Sequence, residues 1–153
     1  MIKLIHLLAE AKQVGTLYHY TSEPGAAAIL KSNRINASVE EYQRNELYYV
    51  SFTRNKDFHK RSERFGVKTA VRIAIDGDRL SDRYKVKPFA YIPGWDYENA
   101  WEYDWLNDVP ESEARHFLDG TGDYDEAEER IYFPTESSYI GNIKDYILSV
   151  DKM

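Results

Sequence analysis

Three short runs constrain this chain more than anything else in it: Leu17-Tyr18-His19-Tyr20-Thr21-Ser22, Tyr49-Val50-Ser51-Phe52-Thr53-Arg54 and Glu126-Ala127-Glu128-Glu129-Arg130-Ile131-Tyr132. Each contains the aromatic and β-branched residues of a strand, and each sets His, Ser, Thr, Arg or Glu among them. A buried sheet has reason to carry such groups at its strand ends when they line a cleft or satisfy one another. The sheet this chain builds is therefore expected to gather the three segments into one site.

The chain has 153 residues, enough for one domain with a real core and too few for two ordinary ones. A single domain over residues 1–153 is expected. With no cysteine there is no disulfide framework, no thiol nucleophile and no Cys-based zinc site. The run Leu4-Ile5-His6-Leu7-Leu8 is too short to span a bilayer and lacks a signal-peptide cleavage pattern, so a soluble, cytoplasmic protein with no membrane partner is expected.

Apolar positions Leu4, Leu7, Leu8 and Ala11 predict an amphipathic N-terminal helix within residues 1–15. Residues 16–21 read as a strand. Ser22 then supplies an N-cap, and Pro24 suits the first turn of a helix running through residues 26–31. This order puts His19 near the C-terminal end of its strand. Further strands are expected at 47–53 and 69–75, the latter stopped by an Asp76-Gly77-Asp78 turn, and a short edge strand at 84–89. Residues 55–65 read as helix or loop, 130–133 as a strand, 141–147 as a helix and 147–150 as a closing strand.

Charge divides the chain. Residues 1–92 carry 16 Lys/Arg against 10 Asp/Glu, whereas residues 93–153 carry 4 against 16. The basic density peaks at Arg54, Lys56, Lys60, Arg61, Arg64 and Lys68, residues able to meet a pyrophosphate or a nucleic-acid backbone or simply to form a solvated face. Residues 93–125 form an acidic aromatic insert, in which Tyr97, Trp101 and Trp105 stand one helical turn apart. Core packing explains that stripe better than base stacking, because the surrounding carboxylates repel phosphate.

A strand bearing His19, a strand with Ser51, Thr53 and Arg54, and a late strand introduced by glutamates together resemble the core of the ADP-ribosyltransferase superfamily. Chains of this size and layout also resemble small phage-encoded proteins, for which the compartment is the host cytoplasm. The resemblance implies an α+β fold: a split, mostly antiparallel sheet with peripheral helices, whose cleft holds NAD as a substrate. It further implies transfer of ADP-ribose to a protein or nucleic-acid acceptor. Two alternatives stand beside this reading. One is an NAD-dependent RNA 2′-phosphotransferase-like enzyme, and the other is a non-catalytic interaction protein on the same fold that binds its partner through Trp101 and Trp105.

Breaking the nicotinamide–ribose bond passes through an oxocarbenium-like state that a carboxylate stabilises. The resemblance puts that carboxylate just before an Ile-Tyr-Phe strand, a position that Glu128 and Glu129 both approximate. If the strand begins at Glu128, Glu126 shares its face and Glu129 points away; a one-residue slip reverses this, so all three remain candidates. By the same resemblance His19 holds a ribose hydroxyl and the backbone at Tyr20 meets the nicotinamide, with Thr21 beside it in the cofactor site. Ser51 and Thr53 are placed to orient the glutamate or the ribose and Arg54 to neutralise the pyrophosphate; the alternatives are an imidazole satisfied by a backbone carbonyl, ordinary cross-strand hydroxyl pairing and a surface ion pair. Tyr20, Tyr48, Tyr49 and Tyr84 are candidates to stack on nicotinamide. The chain departs from its relatives in lacking a Gly after His19 and in having Ser51-Phe52-Thr53 for Ser-Thr-Ser, which leaves the acceptor open.

No metal is expected, since His6, His19, His59 and His116 are dispersed and Asp76-Gly77-Asp78 lacks the rest of a calcium loop. The eight glycines form no phosphate-binding fingerprint, and no serine sits in a nucleophile elbow.

Overall fold

The computed structural model describes residues 14–42, 45–61, 69–88 and 127–153. They form an α+β arrangement of antiparallel strands with two α-helices. In chain order the elements are β1 (Thr16–Thr21), α1 (Glu23–Ser32), β2 (Arg34–Asn36), β3 (Ser38–Tyr42), β4 (Asn45–Thr53), a 3-10 turn (Phe58–Arg61), β5 (Val71–Asp76), α2 (Gly77–Ser81), β6 (Lys87–Pro88), β7 (Glu128–Phe133), β8 (Tyr139–Gly141), a second 3-10 turn (Ile143–Asp145) and β9 (Ile147–Lys152). The main sheet runs β6-β7-β4-β1-β5-β9, with β3 also on β4, and β2 pairs separately with β8. The expected N-terminal helix and the 93–125 insert lie outside the described residues.

Local chemistry starts and stops these elements as the sequence suggests. The Ser22 hydroxyl accepts from the Gly25 amide at 3.1 Å and caps α1, which ends at Asn33 in the left-handed conformation (φ 57). Asp76 proves to be the N-cap of α2, accepting from the Arg79 amide at 3.2 Å, rather than part of a simple turn. The helix expected at 141–147 is absent. Gly141 closes β8, Asn142 adopts φ 52, the amides of Asp145 and Tyr146 bond three residues back to Asn142 and Ile143, and Ile147 already pairs with Ile75, so one 3-10 turn forms, its first two amides held by the carbonyl and side chain of Asn33. Of the edge strand expected at 84–89, Lys87–Pro88 form a strand that pairs with β7 and residues 84–86 are not part of it, while residue 89 lies outside the described residues.

Register assigns the faces. Leu17, His19, Ile73, Ile75, Val50, Phe52, Glu129 and Ile131 share one face of the sheet. The apolar members of this set are buried there with Ala26 and Ile29 of α1, Ile35, Ile140 and Ile143. Tyr18, Tyr20, Arg72, Tyr49, Ser51, Thr53, Glu128, Arg130 and Tyr132 share the other. One face is the core and the other carries the chemistry.

The junction between β1 and β4 is thin. β1 pairs with β5 along its whole length, from Thr16–Asp76 to Thr21–Val71, and β4 pairs with β7 from Tyr48–Phe133 to Thr53–Glu128. Between β1 and β4 the ladder has one partnered position, Tyr18–Thr53. Tyr48 and Tyr49 pair with both β3 and β7, and Thr53 with both β1 and β7, so β3 and β1 occupy the same edge of β4. Val50, Ser51 and Phe52 lie between them, with no ladder partner on that edge among the described residues. The sheet opens there.

Candidate functional site

His19 stands at this opening. Its Nδ1 lies 3.0 Å from the Ser51 carbonyl oxygen, and its ring meets Phe52 edge-on with centroids 5.7 Å apart. A carbonyl can only accept, so Nδ1 carries the hydrogen and Nε2 is left as an acceptor. Burial lowers the His19 pKa, and the Ser51 bond offsets this only in part, so the imidazole is neutral near pH 7. The unfolded chain takes up this proton near the ordinary value of 6.5, whereas the folded chain resists it to lower pH. Stability from this residue is therefore present above pH 6.5 and is lost as pH falls from there through the folded value. His19→Gln is expected to flatten the acid side of the stability–pH curve by up to about 1.4 kcal/mol per pH unit across that window. Urea unfolding at several pH values checks this, and parallel curves for wild type and variant would refute it.

On the far side of β4 and on the opposite face of the sheet from His19, Glu128 begins β7. The Ser51 hydroxyl donates to its Oε2 at 2.8 Å, and Arg130 Nε donates to the same oxygen. Oε1 has no hydrogen bond among the described residues. The carboxylate is partly open, its side chain 19% exposed. Ala127, just before it, takes φ 47, a left-handed conformation that costs a non-glycine residue about 1 kcal/mol. Its carbonyl accepts from the Arg54 amide at 3.0 Å, which holds that bend beside the end of β4.

Arg130 ties the network together. Its Nη1 reaches Glu40 of β3 at 3.1 Å, and its guanidinium carbon lies 4.1 Å from the centre of the Tyr49 ring. Burial works against the Arg130 charge, but the charge and hydrogen bond of Glu128 outweigh it and raise the pKa above the ordinary arginine value. Burial likewise raises the phenols of Tyr49 and Tyr132, whose rings lie 6.3 Å apart, and keeps both protonated.

The remaining sequence candidates separate. Glu129 turns to the core face, is fully buried, and lies 3.5 Å from Arg54. Arg54 is thus engaged behind the sheet, on the opposite face from Glu128. The Thr53 hydroxyl accepts from the Asn55 amide at 2.9 Å and shapes the turn after β4. Thr21 abuts α1 so closely that a Cβ at Gly25 would stand 2.3 Å from its Oγ1. The Tyr20 phenol bonds to the Lys56 carbonyl and packs on Phe58 and His59. Tyr84 packs on Phe133, and the Tyr48 phenol bonds to Glu46, which leaves Tyr49, under the Arg130 guanidinium, as the candidate tyrosine that touches the Glu128 network. Glu126, Arg64, Lys68, Trp101 and Trp105 lie outside the described residues.

Arg130 and Glu40 were missing from the sequence reading. Arg130 could have been found, because two residues along a strand return to the same face. Glu40 could not, since β3 carried no recognised strand signal. Among the described residues no group of three His, Cys, Asp or Glu is placed to hold a metal ion, and no helix is long and apolar enough to cross a membrane. Comparisons with protein-family models, with curated proteins and with solved structures return no match to this chain.

Proposed function

We propose that this protein is an ADP-ribosyltransferase that uses NAD as its substrate, with Glu128 as the catalytic carboxylate. One observation carries the reading: a partly open carboxylate is held at one oxygen by Ser51, with its other oxygen free of protein bonds among the described residues, on the strand pair that borders the opening in the sheet. A sheet whose halves meet at one residue pair suits the split-sheet architecture that such an enzyme needs.

The chemistry follows from the charges. As the bond between the ribose carbon and nicotinamide breaks, its electron pair leaves with nicotinamide and positive charge develops on the ribose. The Glu128 carboxylate opposes that charge directly, and its free oxygen can accept from a ribose hydroxyl. An acceptor nucleophile, a protein side chain or a nucleobase, then bonds to the ribose carbon and gives up its proton.

The test is nicotinamide release from NAD by the wild type, with cell lysate supplying acceptors. Release is expected, together with an NAD-induced rise in Tm. Ser51→Ala is expected to slow release about tenfold, the worth of one hydrogen bond to a charged group. A wild type that neither releases nicotinamide nor is stabilised by NAD would sink the reading.

A further inference from the structure

We infer that Arg130 is a positioning residue for Glu128, and that Glu40 is there to cancel its charge. This rests on the transferase reading above. The arrangement spans three strands: Arg130 of β7 crosses over Tyr49 of β4 to reach Glu40 of β3, while its Nε holds Glu128. Arg130 lies directly opposite Ser51 in the ladder, so the two donors to Glu128 Oε2 come from adjacent strands. Two donors on one oxygen fix the plane of the carboxylate and therefore the direction of Oε1. A single hydroxyl leaves that plane free to rotate.

A guanidinium beside the catalytic carboxylate has an electrostatic cost. Alone with Glu128 it would give a neutral pair and weaken the attraction for a developing cation. Glu40, on the other end of the same guanidinium at 3.1 Å, restores one net negative charge to the set of three. Arg130 thus supplies geometry, and Glu40 keeps the site anionic. The planar fork matters as well, because one guanidinium meets two carboxylates from different nitrogens while stacking on Tyr49, and a lysine ammonium cannot do all three.

The experiment is steady-state nicotinamide release from NAD by wild type, Arg130→Gln, Arg130→Lys and Glu40→Gln. The Arg130→Gln variant is expected to lose about 100-fold in kcat with KM for NAD changed less than about threefold, because its contact is to the catalytic group and not to substrate. Arg130→Lys is expected to recover about tenfold of that loss. Glu40→Gln, which leaves the Arg130–Glu128 contact in place and changes a side chain 30% exposed, is expected to lower kcat about fivefold through charge alone. Glu40→Gln also keeps the test alive if Arg130→Gln fails to fold. Wild-type kcat in Arg130→Gln or Glu40→Gln, or a loss confined to KM, overturns the inference while the transferase reading stands. No release from the wild type overturns both.

Discussion

Glu128→Gln is expected to lower the kcat for nicotinamide release by about 100- to 1000-fold while the protein stays folded. Glutamine keeps the size of glutamate and an oxygen that Ser51 and Arg130 can still donate to, so the geometry at Oε2 survives. What disappears is the negative charge facing the developing oxocarbenium ion, and a barrier dominated by that charge rises accordingly. Stability should change little, because Glu128 is partly exposed and Arg130 retains Glu40 as a partner. The paired measurement is kcat and Tm on the same preparation. A Glu128→Gln enzyme with near wild-type turnover would remove Glu128 from the chemistry, and a collapse in Tm would recast it as a structural residue.

What was legible in the sequence followed local rules. The β1 strand, its Ser22 cap and the helix after it are signalled by residues that act on their immediate neighbours, and the structure has them where the pattern put them. The start of β7 at Glu128 puts Glu128 on the face of Ser51 and Glu129 on the other, an assignment the sequence left open because a slip of one residue exchanges the two faces. The Ser51–Glu128 contact was foreseen as a possibility, since alternation fixes which side of β4 Ser51 takes. The rest depended on pairing between distant segments. The charge of Arg54 suits a phosphate ligand, and no local pattern signals that its guanidinium lies 3.5 Å from Glu129 on the core face. The short strands β2, β3 and β8 carry little periodic signal, and the turn at 143–145 is anchored by Asn33, more than 100 residues away, which accepts from its first two amides. No local pattern encodes such a partner.

Glu129 provides the opposite expectation to its neighbour. Its side chain is fully buried on the core face, between strands whose other inward residues are Phe52 and Ile131, and its carboxylate faces the Arg54 guanidinium. Removing one member of a buried ion pair takes its charge away from the other, and the loss exceeds what the pair itself contributes to stability. Arg54 is 23% exposed and can recover part of its hydration, which sets the expected cost of Glu129→Ala at about 3 kcal/mol, or a fall in Tm of about 10 °C. Glu129→Gln, which keeps the volume, should cost less than Glu129→Ala. The double change Glu129→Leu with Arg54→Met should recover most of the loss, since it replaces both charges with apolar groups of similar size. Thermal unfolding of the four proteins checks the ordering. A Glu129→Ala protein as stable as wild type but inactive would mean that this buried carboxylate, and not Glu128, is the one that meets the substrate.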